Sequence, residues 1–154
     1  MSETVIRRAV AGDVRAIAEM GIRFYLLRNF RAKGFQLNTS GLEAVLLHLL
    51  DSNGLIVVAE RDGKLVGSVL GLISPWIGDV NQLVVQEIWW WVNEECQGEF
   101  IGKRMIRFYE EEARRMGVKF SIVGTHEFDG EDKLGRVYER LGYRHLQHDF
   151  IKEL

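Results

Sequence analysis

The sequence predicts a mixed α/β fold, a central mixed sheet flanked by helices, with residues 1–154 forming one domain. Three observations carry that reading. Short β-rich apolar runs are interleaved with stretches whose apolar residues recur at helical spacing. The run at residues 82–92 ends in Trp89, Trp90 and Trp91, which suits a strand buried on both faces. That run passes into a short polar loop holding Gly98 and Gly102, and the loop opens directly into an amphipathic helix. A chain of 154 residues is long enough for one domain with its own core.

The predicted order is β-α-α-β-β-β-α-β-α-β. Residues 4–10 are rich in β-formers and make the first strand. Asp13 stands as an N-cap, and Val14, Ile17, Ala18, Gly21, Phe24 and Tyr25 follow at helical spacing to near Arg28. Residues 29–39 read as a loop with Arg31, Lys33 and Gly34 among aromatic residues. Ser40-Gly41-Leu42-Glu43 has the capping-box pattern, and Leu42, Val45, Leu46, Leu49 and Leu50 form the expected buried stripe of the next helix. His48 lies on its flank with no second ligand-type residue at i+4, so no metal role is read for it.

Residues 55–60 and 64–73 are strands joined by Asp62-Gly63, a hairpin signal. Gly67 and Gly71 within the second mark bulges or close contacts. Pro75 is expected to end that strand, with residues 76–81 connecting it to the central strand at 82–92. Strict alternation puts Trp89 and Trp91 on one face with Val85 and Glu87, and Trp90 on the other with Gln86 and Ile88. The helix after the loop buries Met105, Phe108, Tyr109, Ala113 and Met116 and ends at Gly117. A strand at 118–124, a polar loop at 125–132, a short helix at 133–141 ended by Gly142, and a closing strand at 143–152 complete the chain.

Composition narrows the function classes. Apolar residues make up 47% and charged residues 27%, and the formal net charge is -2, so no general attraction to nucleic acid or membrane is implied. No run is apolar enough to span a bilayer, and the first residues lack the apolar stretch of a signal peptide. A single cysteine, Cys96, excludes an internal disulfide and fits a reducing, cytoplasmic location. No histidine accompanies Cys96 in sequence, so an incidental thiol is the simpler reading. No metal site is expected.

The loop carries the chemistry. Backbone N–H groups at a helix N-terminus hold anions, and Lys103 and Arg104 in the first turn can reach phosphates. Gln97-Gly98-Glu99-Phe100-Ile101-Gly102 resembles the coenzyme A loop of the GCN5-related N-acetyltransferases (GNAT), whose pattern is Gln/Arg-x-x-Gly-x-Gly/Ala. Phe100 stands where that pattern has its middle glycine, the residue that takes left-handed angles cheaply. Val137-Tyr138-Glu139-Arg140-Leu141-Gly142-Tyr143 is similar to the family's closing Tyr-x-x-x-Gly-Phe/Tyr. The two motifs stand in the family's order, and the element order also fits, so the resemblance covers nearly the whole chain. The run from Glu87 to Val92 also resembles bacteriophage members, which read Glu-x-x-Trp-Trp-Val.

The resemblance implies a GNAT-like acyl-CoA N-acyltransferase fold, its sheet split at the strand before the glycine loop, with acetyl-CoA as co-substrate. It implies that the pantetheine arm bonds to main chain at Trp90, Trp91 and Val92. It places the pyrophosphate over Gln97, Gly98, Glu99, Phe100, Ile101, Gly102 and Lys103. Tyr138 matches the family's closing tyrosine, which protonates the coenzyme A sulfur. Glu87, a carboxylate in an otherwise apolar strand, is the candidate base, with His126 a secondary candidate. The family commonly has an asparagine ahead of the closing tyrosine; here that region reads Glu131-Asp132-Lys133. The expected partner is a small-molecule or protein amine, and a homodimer is compatible because dimers are frequent in the family. A non-catalytic acyl-CoA-binding or protein-interaction module of the same fold stays open. An unrelated phosphate-binding α/β protein has less support, because the chain lacks a P-loop and lacks a G-x-G-x-x-G after its first strand.

Overall fold

The sheet grows outward from one tight hairpin. Asp62 and Gly63 both adopt positive φ, 52° and 73°, the twist that lets two strands meet across a two-residue turn. In the computed structural model, which describes residues 2–126 and 133–154, β2 (Gly54–Arg61) and β3 (Lys64–Trp76) flank this turn and pair antiparallel. β1 (Val5–Arg8) joins β2 antiparallel, β4 (Asp79–Val92) joins β3 antiparallel, and β5 (Val118–Ile122) joins β4 parallel. The five-stranded sheet has the order β1-β2-β3-β4-β5.

Helices cover both faces, which is why β2 is buried from Gly54 to Ala59 without a break. α1 (Val14–Leu27) and α2 (Thr39–Leu50) lie on one face, where Ile17, Phe24 and Leu46 pack against Ile56, Val58 and Leu70. α3 (Ile101–Arg115) lies on the other, where Met105, Ile106 and Tyr109 pack against Leu55, Val57 and Val69. β2 feeds the two cores alternately, as period-2 geometry requires. α4 (Lys133–Arg140) follows β5 in the chain.

Several predicted details are corrected. β3 runs through Pro75, and β4 begins at Asp79 rather than residue 82. Pro75 is tolerated because β2 stops pairing at Leu72, so the proline's missing N–H costs no ladder bond on that side. Asn38, not Ser40, caps α2: its Oδ1 accepts the Gly41 N–H at 2.9 Å, which puts Ser40 inside the first turn. Val45 leaves the expected stripe and is exposed, while Leu46 is fully buried. β1 and β5 are shorter than predicted.

Residues 143–152 form no strand, and Leu146 and Phe150 stay exposed. Alternation marks a face of a segment but supplies no neighbour to pair with. Tyr143 anchors the stretch instead, its hydroxyl 2.8 Å from Glu110 Oε1 and 2.9 Å from Ser121 Oγ. The predicted loop at 125–132 falls largely outside the described residues.

The largest correction is in β4. Gly71 opposes Glu87 and Leu70 opposes Trp89, so Ile88 is an extra residue, a β-bulge. The bulge moves everything after it by one residue. Trp89 and Trp91 face α1, whereas Trp90 and Val92 join Val85 on the α3 side.

At the far edge, Arg7 of β1 ties three elements together. Its guanidinium donates to Asp13 Oδ2 and Oδ1 at 2.7 and 3.0 Å and to Glu60 of β2 at 2.6 Å. Asp13 also accepts the Val10 N–H at 2.8 Å, so its carboxylate reaches backward rather than forward into α1 as a simple N-cap would. The hydrogen bonds from Arg7 hold the Asp13 carboxyl below the usual carboxylate range. Because the folded value is the lower one, this stabilisation is complete above the ordinary aspartate value and is lost as pH falls through Asp13's own. Asp13→Asn is therefore expected to cost about 2 kcal/mol at neutral pH by urea unfolding, and the gap from wild type should begin to narrow below about pH 4 and close only below Asp13's lowered value.

Candidate active site

The site begins where a ladder ends. β5 pairs with β4 only from Leu83–Val118 to Gln86–Ile122. Beyond Gln86, β4 keeps its β3 partner up to Val92, while its other edge has no strand beside it among the described residues. Backbone groups of Glu87 to Val92 therefore line an open split in the sheet.

Glu87 and Tyr138, remote in sequence, meet at this split. The Gly124 N–H, just past β5, donates to Glu87 Oε2 at 3.2 Å. The Tyr138 hydroxyl donates to the Gly124 carbonyl at 3.2 Å. Tyr138 is 5% exposed, and its ring packs beside Trp90 and Tyr143 with centroids 5.8 and 5.6 Å away. One peptide segment thus holds both side chains proposed for proton transfer. His126, two residues on, stands edge-on to Phe24 and Phe30 at 5.2 and 5.8 Å, on the α1 side of the split.

The loop after β4 is held to the strand and to the sheet edge. Gln97 Nε2 donates to the Val92 carbonyl at 3.1 Å. Glu99 is ion-paired with Arg61, whose Nε also donates to Thr4 Oγ1 at 2.9 Å, and the hydrogen bond from Arg61 keeps the Glu99 carboxyl below its ordinary range. Cys96 is buried beneath the loop with Arg61 Nη1 3.9 Å from its sulfur.

Phe100 adopts φ 62° and ψ 8°, the left-handed conformation that a glycine takes cheaply, and is 75% exposed. That backbone costs a phenylalanine about 1 kcal/mol or more. The first bond of α3 runs from Arg104 N–H to the Phe100 carbonyl at 3.1 Å. The N–H groups of Ile101, Gly102 and Lys103 ahead of it project from the helix end, where they suit a phosphate.

Side chains around these N–H groups divide the work. Ile101 is buried and anchors the helix start. Gly102 lies under Trp90: a Cβ added there would stand 3.0 Å from the indole ring. Lys103 is exposed at the helix end. Arg104 is a correction: its guanidinium turns back to the Thr4 carbonyl at 2.8 Å, so it braces β1 rather than facing the loop. Trp91 contributes only main chain to the split, because its indole faces α1 and donates to Asn93 Oδ1 at 2.9 Å. Glu131 and Asp132 lie outside the described residues.

Sequence reasoning missed three phenols near Glu87. Tyr25 of α1, Tyr109 of α3 and Tyr143 are each raised above the ordinary tyrosine value, by burial first and with the Glu87 charge contributing to each. Helical spacing marks Tyr25 and Tyr109 simply as core residues, and nothing local in the sequence links them to Glu87. The open N–H groups at the start of α3, the left-handed turn at Phe100 and the one-sided strand form a set that fits an acyl-CoA.

Comparison with known proteins agrees with this geometry. Residues 20–143 match the model of the Acetyltransferase (GNAT) family. The chain is 29% identical over 113 residues, 70% of its length and 68% of the relative's, to the aminoalkylphosphonate N-acetyltransferase of Salmonella typhimurium. Its fold is similar to that of an acetyltransferase from Trypanosoma brucei, with a TM-score of 0.73, 19% identity, and 99% and 100% of the two chains covered. It is also similar to a predicted acetyltransferase from Clostridium acetobutylicum solved with acetyl-CoA, with a TM-score of 0.74, 14% identity, and 98% and 96% covered. None of these relatives supports the finer likeness to bacteriophage members. A split sheet, a helix-opening loop and a match over most of the chain converge on one assignment: the protein belongs to the acetyltransferase (GNAT) family.

Proposed function

We propose that this acetyltransferase moves the acetyl group of acetyl-CoA to a primary amine by direct attack of the amine on the thioester. The observation that carries the reading is the convergence of Glu87 and Tyr138 on Gly124 at the open edge of β4. In this reading acetyl-CoA supplies the activated acyl group, and the protein supplies positioning and proton handling.

The N–H groups from Gly98 to Lys103 hold the pyrophosphate, with Gln97 fixing the loop to the end of β4. Main chain at Trp90, Trp91 and Val92 pairs with the pantetheine amides in place of a sheet neighbour. An ammonium ion cannot attack until it loses a proton, and Glu87 accepts it directly or through one water. A main-chain N–H near Trp91 or Val92 faces the oxygen on which charge develops. Tyr138 carries its proton on the Gly124 carbonyl and turns it to the sulfur as the thiolate leaves.

The Salmonella relative is named for a small amine acceptor, which favours a small-molecule acceptor for this chain over a protein one. Retention of the left-handed loop conformation at Phe100 weakens the motive for a non-catalytic module.

Titration calorimetry is expected to give micromolar affinity for both acetyl-CoA and desulfo-CoA; no binding of either would overturn the proposal. Phe100→Gly should bind acetyl-CoA as well as wild type does while raising unfolding stability by about 1 kcal/mol. Tyr138→Phe and Glu87→Gln should each slow amine-dependent release of free thiol by about 100-fold, with acetyl-CoA affinity unchanged. Full activity in Tyr138→Phe would remove that residue from the mechanism.

A further inference from the structure

Tyr109 lies within α3, fully buried, and its hydroxyl has no hydrogen-bond partner among the described residues. A buried hydroxyl without a partner is costly, and phenylalanine would fill the same space without that cost. The hydroxyl is aimed at the sheet. A Cβ on Gly71 would stand 2.0 Å from it, so only glycine at that position of β3 admits it.

Gly71 lies directly opposite Glu87 in the β3–β4 pair. Directly opposed residues send their side chains to the same face, with Cβ positions about 5 Å apart. The place left empty by Gly71, where the Tyr109 hydroxyl stands, is therefore within reach of the Glu87 carboxylate across one water. The electrostatics agree: after burial, Glu87 is the foremost charge acting on the Tyr109 phenol. Other groups facing Glu87 among the described residues include Tyr25 from α1, the Gly124 N–H past β5, and Tyr143, whose hydroxyl is already engaged with Glu110 of α3 and Ser121 of β5.

We propose that Tyr109 is a positioning residue for Glu87, its hydroxyl, admitted by Gly71, holding the carboxylate in place at the split through one enclosed water. The inference rests on the reading of Glu87 as the base.

The test is the pH profile of kcat/KM for acetyl transfer in wild type, Tyr109→Phe, Glu87→Gln and the double variant, with thermal unfolding alongside. Removing a donor makes the carboxylate easier to protonate, so the acid limb of Tyr109→Phe should move to higher pH by about one unit. Its KM for acetyl-CoA and its thermal stability should not fall. Glu87→Gln should abolish the limb, and adding Tyr109→Phe should change nothing further.

An unmoved limb and full rate in Tyr109→Phe would overturn the inference and leave Glu87 as the base. Full rate and an unmoved limb in Glu87→Gln would instead overturn the base reading, and this inference with it. Should Tyr109→Phe fail to fold, 3-fluorotyrosine at position 109 keeps ring and hydroxyl but makes a stronger donor. The limb should then move to lower pH, and an unmoved limb would overturn the inference.

Discussion

Past Gln86, β4 has a hydrogen-bonded strand neighbour on one side only among the described residues, and the rest of the site depends on that constraint. Backbone donors and acceptors at the centre of a folded protein rarely stay unmatched. A strand that leaves one edge open in the middle of its sheet therefore presents a row of groups for an extended ligand. The parallel pairing with β5 brings Gly124 to the mouth of the opening, and Gly124 in turn meets Glu87 and Tyr138. The end of β4 delivers the chain into the loop that starts α3. One strand thus supplies the split, the carboxylate and the entry to the helix-end N–H groups.

Much of this site is main chain, which explains how it accommodates unusual side chains. Phe100 keeps a left-handed backbone at a cost of about 1 kcal/mol or more, because what the loop presents is its N–H groups and not a particular side chain. Neighbouring side chains stabilise the loop: Gln97 on the Val92 carbonyl, Arg61 on Glu99, and Ile101 buried in the core. The carboxylate of Glu87 is treated differently. It sits in an otherwise apolar strand, and a polar group there needs partners. Gly124 supplies one donor, and phenols from α1, α3 and the C-terminal segment gather around it.

The bulge at Ile88 shows where pattern reading stops. Strict alternation assigns Trp89 and Trp91 to the face of Val85, but the extra residue sends them to α1 and turns Trp90 onto α3. Trp90 thereby comes to lie over Gly102 and beside Tyr138, at the centre of the site. No local feature marks the bulge at Ile88, since the residues that follow it, Trp89 to Val92, are apolar and suit either face. The hint that was legible is Gly71, the residue across from the bulge, whose missing side chain makes room for Tyr109. The C-terminal segment fails for a related reason: its alternation describes a face, and pairing depends on a partner edge that sequence does not specify.

By itself the sequence determined the order of the elements up to α4 and the loop that opens α3. These follow from local chemistry: hydrophobic period, glycine at turns, and residue types at fixed spacing. Tertiary structure alone decided that β5 stops pairing at Gln86 and that Glu87 and Tyr138 share one glycine. It also decided that Asn38 rather than Ser40 caps α2, that Arg104 braces β1, and that Tyr109 reaches the space opposite Glu87. Each of these depends on contacts between segments far apart in the chain, and their geometry exists only once the sheet and helices are packed.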